Sequence, residues 1–136
     1  MYEQVTSYLG KLKPPQWKYP EKQGDGSHEQ PFIAGWLEYD EITSEFMHRM
    51  YDFVPNGGQN YDEIIYKATG NDGHDDLTRI DVSKLDGDTI LYMIFSRVRG
   101  ERFSDGLFGS YVAKGTMDKW LARLKEIDEK TKKEVK

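Results

Sequence analysis

The stretch from residue 85 to residue 124 constrains the fold most, because it contains three apolar segments with helical spacing, each bounded by residues that begin or end helices. Leu85 precedes Asp86, and Ile90 follows four residues later, which is the hydrophobic staple and N-cap arrangement of a helix start. The apolar residues of this first segment cover a broad face: Ile90, Leu91, Ile94, Phe95 and Val98. We therefore expect a largely buried helix at the centre of the fold.

Two further helices are predicted after this central one. Ser104 is expected to cap the first of them, and Gly115 is expected to end it. Thr116 is the predicted cap of the last helix. The three helices define a central unit at residues 85–130, and the charged residues 131–136 are predicted to form a frayed, solvated tail.

The N-terminal half of the chain is predicted to contain three regions. Apolar residues at helical spacing predict a helix at residues 1–13, which two consecutive prolines end. Residues 14–39 are expected to form an extended arm, in which residues 17–19 and 31–37 are candidates for a small hairpin. Residues 40–84 are predicted to hold two helices and a loop.

These patterns predict a mainly α fold, a single compact domain of five or six helices together with the candidate hairpin. The 136 residues fit one domain and are enough to bury a core without covalent cross-links. Hydrophobic residues make up only 37% of the chain, but nine Tyr, six Phe and three Trp are among them. Because each aromatic side chain buries a large area, these residues offset the modest aliphatic content.

The composition excludes several classes of function. The chain has no cysteine, which excludes disulfides, thiolate metal sites and cysteine nucleophiles. The first residues lack the pattern of a signal peptide, and no segment is long and apolar enough to cross a bilayer, so we expect a cytoplasmic protein without membrane association. The net charge of −5 and the isoelectric point near 5.2 disfavour nucleic acid as a partner, because binding to phosphates requires a basic face.

Recognised catalytic and cofactor motifs are absent from the sequence: G-x-S-x-G, H-E-x-x-H, the P-loop and G-x-G-x-x-G. A non-enzymatic role and no cofactor are therefore expected. One acidic turn places His74 near Asp72, Asp75 and Asp76. Their spacing does not match a calcium-binding loop, so a solvated turn is favoured there and no metal ligand is predicted.

The candidate site is a group of complementary charges directly after the central helix: Arg99, Glu101, Arg102 and Asp105. One interpretation is an anion pocket in which Arg102 points toward the start of the next helix. The favoured interpretation is a partly buried ion-pair network that fixes the link between two helices, with Phe103 wedged between them as a core anchor. Arg97 is interpreted, together with Arg99, only as a cation that complements the helix dipole.

The run VRGERFSDG at residues 98–106, followed by Gly115 and the closing W-L-x-R-L, resembles an uncharacterised bacterial domain family. Members of that family carry an R-x-x-R-F-x-x-G core and a C-terminal L-x-R-L helix. On the matching positions the resemblance singles out Arg99, Arg102, Phe103, Gly106, Gly115, Leu121, Arg123 and Leu124. The resemblance implies a domain and no reaction. We predict structural anchors at Phe103, Gly106, Gly115, Trp120 and Arg123.

The sequence therefore predicts a non-enzymatic binding or interaction module whose partner is a protein or a small anion. The contact surface is expected at residues 99–105 or at the aromatic residues of the extended arm, Trp17, Tyr19 and Trp36. The alternative is a small enzyme or an anion-binding domain with a pocket centred on Arg102. A concave pocket with an unpaired Arg102 favours the alternative, whereas an Arg102 buried against acids favours the structural network.

Overall fold

The structure, a computed structural model, describes residues 1–134, so the end of the predicted tail lies outside the described residues. This range contains six α-helices and one hairpin: α1 (Glu3–Thr6), β1 (Gln16–Lys18), β2 (Trp36–Glu38), α2 (Glu41–Phe53), α3 (Tyr61–Thr69), α4 (Gly87–Gly100), α5 (Leu107–Ala113) and α6 (Thr116–Glu134). Two short 3₁₀ turns lie at Pro55–Gly58 and Val82–Lys84. The prediction of a compact, mainly α fold with one small hairpin is confirmed.

Helix α4 is the central element, as predicted. It begins at the expected N-cap, where Oδ1 of Asp86 accepts a hydrogen bond from the backbone N–H of Thr89 at 2.8 Å. From Gly87 to Val98 every residue except Asp88 is buried. The helix packs against α2, α3, α5 and α6. Its C-terminal end is therefore the point at which several elements of the fold meet.

Aromatic side chains fill the space around α4. Phe46 of α2 and Phe108 of α5 are fully buried, with ring centroids 5.9 Å apart. Trp120 of α6 is 1% exposed and packs against Tyr111, with centroids 5.5 Å apart. Large rings thus compensate for the small number of aliphatic residues, as their area leads one to expect. None of the helices in residues 1–134 is long and apolar enough to cross a membrane.

The N-terminal segment differs from its prediction. The helix at residues 1–13 is reduced to α1, and turns follow it up to Lys11. Gly10 adopts a positive φ of 79°, so a right-handed helix cannot continue through this residue to Lys13. Two long-range hydrogen bonds hold the segment on α6: the backbone N–H of Tyr2 donates to Asp128 at 2.7 Å, and that of Gly10 donates to Asp118 at 3.1 Å.

The hairpin lies against the end of α4. Its strands are antiparallel, and Trp17 is paired with Leu37 while Lys18 is paired with Trp36. Because side chains alternate along a strand, Trp17 and Leu37 share one face and Trp36 lies on the other. Leu37 approaches Gly106, in the link between α4 and α5. The hairpin therefore brings β2 next to the residues predicted to form the site.

Candidate functional site

Glu101 connects three elements at the end of α4. Its carboxylate accepts hydrogen bonds from the backbone N–H groups of Gly106 at 2.6 Å and Phe108 at 2.9 Å. It also accepts one from the hydroxyl of Tyr39, which follows β2, at 2.7 Å. Free N–H groups at a helix start need an acceptor, and a side-chain carboxylate is a strong one. Glu101 therefore caps α5 and fixes the hairpin to it.

The prediction that Ser104 caps this helix is wrong. Helix α5 begins at Leu107, and its N-cap residue is Gly106, whose φ of 87° favours glycine. Ser104 lies too early in the link to reach the free N–H groups, and its exposed side chain makes no capping bond. The carboxylate of Glu101 takes this role from five and seven residues away.

Tyr39 stays protonated in this arrangement. Burial and the hydrogen bond to the Glu101 carboxylate both raise the pKa of the Tyr39 phenol above its ordinary value. The phenol oxygen accepts a further hydrogen bond from the backbone N–H of Gly109 at 2.9 Å. Tyr39 and Glu101 therefore form a saturated pair that joins β2 to α5.

The predicted ion-pair network is wrong. Arg99, Arg102 and Asp105 are exposed, and no ion pair joins any two of the four predicted residues within residues 1–134. The physical reason is that the acid nearest to the arginines in sequence, Glu101, already binds two backbone N–H groups and a phenol. Backbone N–H groups with no other acceptor compete successfully with a solvated guanidinium for this carboxylate.

The prediction that Phe103 is a core anchor is also wrong. Phe103 is 83% exposed. Helix α4 ends at Gly100, and the tight turns that follow carry Phe103 to the outer side of the link. Leu107, at the start of α5, is the side chain that lies against Gly100 at the end of α4.

Arg102 lies at a pocket instead of within a network. Its guanidinium carbon is 5.3 Å from the centroid of the Tyr51 ring, which is a cation–π distance. Tyr51 is itself held edge-on against Phe95, with centroids 5.2 Å apart. The cation therefore rests on a fixed aromatic platform, with no acid paired to it in the part of the chain that the structure describes.

The pocket beside Arg102 has a volume of about 320 Å³ and lies between β2, α2 and the end of α4. Apolar and aromatic side chains form most of its wall. Its lining residues are Leu37, Tyr39, Ser44, Met47, His48, Tyr51, Val98, Glu101 and Arg102. The Glu101 carboxylate keeps its negative charge, but three donors occupy its oxygens. The guanidinium of Arg102 is therefore the charged lining group whose hydrogen-bonding atoms are open to a ligand.

Arg97 is the residue that the sequence interpretation missed. It is 3% exposed, and its guanidinium donates to the backbone carbonyls of Gly73 and Asp75 and to the hydroxyls of Ser96 and Tyr111. Complementing the helix dipole does not account for such burial. Arg97 follows Ile90, Met93 and Ile94 on one helical face. That position within the apolar face was the available signal.

The acidic turn folds on itself. Asp75 accepts a hydrogen bond from the backbone N–H of Asp72 at 2.9 Å, and Asp76 accepts one from that of Thr78 at 3.0 Å. The imidazole Nε2 of His74 lies 3.4 Å from a carboxylate oxygen of Asp62. Asp62, Asp72 and His74 have ligand atoms within 4.8 Å of one another, but two of the three are exposed. Surface acids of this kind are common without an ion, so the cluster alone defines no metal site.

The other predicted anchors lie in α6 and at its start. Gly115 precedes α6 with a φ of 81°, and Trp120 is fully buried. Arg123 donates hydrogen bonds to the backbone carbonyls of Val82 at 3.3 Å and Ser83 at 3.0 Å. Its guanidinium thus holds the 3₁₀ turn that precedes α4 against α6.

The predicted aromatic contact surface is exposed but divided. Trp17 is 60% exposed and Tyr19 64% exposed, and their rings stack with centroids 6.4 Å apart. Trp36 is 47% exposed and lies on the opposite face of the hairpin. A contact with a protein partner at these residues stays a prediction.

Comparison with known proteins identifies the family of this chain. No curated protein and no solved structure matches the chain. The model of a family described as "Family of unknown function (DUF6508)" matches residues 2–130, which include every helix up to the last turns of α6. The chain therefore belongs to this family of unknown function, DUF6508.

Proposed function

We propose that this chain is a non-enzymatic binding domain whose pocket beside Arg102 takes a small ligand with an apolar, ring-sized body and one anionic group. The observation that carries the proposal is the position of Arg102, which lies on the Tyr51 ring at a pocket of about 320 Å³ and pairs with no acid among the side chains of residues 1–131. We also propose that the protein is cytoplasmic and of bacterial origin.

The wall of the pocket supports a ligand with an apolar body. Leu37, Met47 and Val98 present aliphatic or thioether surface, and Tyr51 presents an aromatic ring that Phe95 holds in place. A volume of about 320 Å³ is near the lower end for small-molecule sites. The pocket therefore suits a ligand of about one ring rather than a peptide or a nucleotide.

The donors of Arg102 support an anionic group on that ligand, because the Glu101 oxygens that line the same pocket are bound to the N–H groups of the α5 start and to the Tyr39 phenol. Arg102 offers a planar fork of N–H donors, which matches a carboxylate or a phosphate. His48 and Ser44 line the same pocket and offer further hydrogen bonds to the anion. The guanidinium is exposed and lies on the Tyr51 ring, so its donors are accessible to an anion that enters the pocket.

The hydrogen bonds of Glu101 and Tyr39 support binding without catalysis. Glu101 has its carboxylate engaged by Gly106, Phe108 and Tyr39, and Tyr39 has a raised pKa. A general base needs an acceptor atom that is free to take a proton, whereas the oxygens of Glu101 and Tyr39 already accept hydrogen bonds from α5. In this proposal they shape the pocket and transfer no proton.

Benzoate is a suitable probe, because it combines one ring with one carboxylate, and benzamide is its uncharged counterpart. We expect benzoate to shift the backbone NMR signals of Leu37, Tyr51 and Val98 in a saturable manner. Benzamide should bind about tenfold more weakly, as loss of one charge-assisted contact predicts.

The variant Arg102→Ala should weaken benzoate binding by about tenfold or more. Arg99→Ala is the matched control, because Arg99 is an exposed arginine of the same helix end and does not line this pocket. Equal benzoate affinity in the wild type and in Arg102→Ala, or signal shifts away from the pocket, would contradict the proposal.

A further inference from the structure

A second cavity, of about 310 Å³, lies between α3, the acidic turn and the end of α4. It shares no lining residue with the pocket beside Arg102. We propose that this cavity is an oxyanion site, in which Arg97 and Arg99 bind the phosphate or carboxylate group of a small metabolite. The site does not depend on the function proposed above.

The buried charge of Arg97 is the first observation that carries this inference. Its hydrogen-bond partners are two backbone carbonyls and two hydroxyl groups, and no acid forms an ion pair with it among the side chains of residues 1–131. Carbonyl dipoles lower the cost of burying a cation but leave its charge uncancelled. An anion in the adjoining cavity would supply the missing countercharge.

The donors of Arg97 are the second observation. Its guanidinium has five N–H groups. One on Nε binds Ser96, two on Nη1 bind Asp75 and Tyr111, and one on Nη2 binds Gly73, which makes four. One N–H group of Nη2 therefore has no acceptor among the described residues. An oxyanion in the cavity provides such an acceptor.

The other charges around the cavity also favour an anion. Arg99 lines it and is exposed, so its guanidinium is available from the solvent side. His74 lines it as well and lies 3.4 Å from a carboxylate oxygen of Asp62. Oδ2 of Asp62 thus faces His74, whereas its Oδ1 is buried beside Gly73 with no hydrogen-bond partner among the described residues. Arg97 and Arg99 therefore place two positive charges at this cavity, against the one negative charge of Asp62 behind its wall.

The walls of the cavity suit the remainder of a metabolite. Tyr61 and Phe103 line it, and the exposure of Phe103, which the core of the fold does not explain, places a phenyl ring at its edge. Tyr61 is held edge-on against Phe95, with centroids 5.6 Å apart. Arg99 lies near the Tyr61 phenol and opposes the rise that burial causes in its pKa.

The test is a titration of the whole chain with inorganic phosphate at constant ionic strength, followed by NMR at the Arg97 Nε–H and at the amides of Gly73 and His74. We expect saturable shifts at these positions with phosphate and none with chloride. Acetate in a parallel titration distinguishes a carboxylate from a phosphate group. Arg99→Ala, a surface change, should weaken binding by about tenfold, and Arg102→Ala should leave it unchanged.

Two results would overturn the inference: an absence of saturable shifts with both phosphate and acetate, or equal affinities in the wild type and in Arg99→Ala. Arg97→Lys gives a second check, because lysine keeps the charge and loses the fork. If this variant shows the far-UV circular dichroism of the wild type, its phosphate affinity should fall. An unchanged affinity would contradict a role for the Arg97 guanidinium. Since Arg102→Ala removes the proposed benzoate site alone, the two proposals fail independently.

Discussion

Arg97→Ala is expected to lower the free energy of unfolding by about 3 kcal/mol or more. The substitution removes the donors that satisfy the buried carbonyls of Gly73 and Asp75, and it removes a partner of the buried Tyr111 hydroxyl. It also leaves a cavity under the Tyr111 ring, whose centroid lies 5.1 Å from the guanidinium carbon. Urea denaturation followed by tryptophan fluorescence measures the change, since Trp120 is buried against Tyr111.

Arg99→Ala is the matched control for this prediction. Arg99 lies two residues further along α4 and is exposed, so its removal should change the free energy of unfolding by no more than about 0.5 kcal/mol. If Arg97→Ala and Arg99→Ala had similar stabilities, Arg97 would not hold the acidic turn on α4 and α5. A variant Arg97→Ala that fails to fold while Arg99→Ala folds normally agrees with the expectation.

Glu101→Ala is expected to lower the free energy of unfolding by about 2–3 kcal/mol and the melting temperature by about 10 °C. The change removes the acceptor for the N–H groups of Gly106 and Phe108 and for the phenol of Tyr39. Both the start of α5 and the attachment of the hairpin should loosen. Thermal unfolding followed by circular dichroism measures the loss.

Asp105→Ala provides the comparison for Glu101. Asp105 is an exposed acid of the same link, and its removal should cost no more than about 0.5 kcal/mol. Glu101→Gln should fall between the two, because an amide keeps one acceptor oxygen and loses the charge. Similar melting temperatures for Glu101→Ala and Asp105→Ala would show that the carboxylate of Glu101 does not fix the link.

The elements that local patterns specify were predictable. Asp86 and the apolar face after it predicted α4, and the alternation around Trp17 with the apolar run at residues 31–37 predicted the hairpin. Each of these signals is contained in a short segment, and each has a direct physical cause in capping or in side-chain alternation. The mainly α fold followed from such local signals.

The roles of the charged residues were not predictable in the same way. Which arginine of the α4 end is buried depends on where the acidic turn folds back, and that turn reaches Arg97 from residues more than twenty positions earlier. The role of Glu101 likewise depends on its hydrogen bond with Tyr39, which lies 62 residues away in sequence. Proximity in sequence suggested pairing between Arg99, Arg102 and the acids beside them. In the structure, backbone N–H groups bind the Glu101 carboxylate instead of an arginine, and the sequence does not show which N–H groups will lack another acceptor.

At the end of α4, Arg97 and Glu101 stabilise the fold, whereas Arg102 is free to bind an anion. Urea unfolding of Arg102→Ala, with and without benzoate, tests this claim most directly. We predict that without benzoate the variant is within about 0.5 kcal/mol of the wild type. At a benzoate concentration ten times the wild-type dissociation constant, the wild type should gain about 1.4 kcal/mol and the variant no more than about 0.4 kcal/mol. A loss of about 2 kcal/mol or more without benzoate, or an equal gain in both proteins, would contradict the claim.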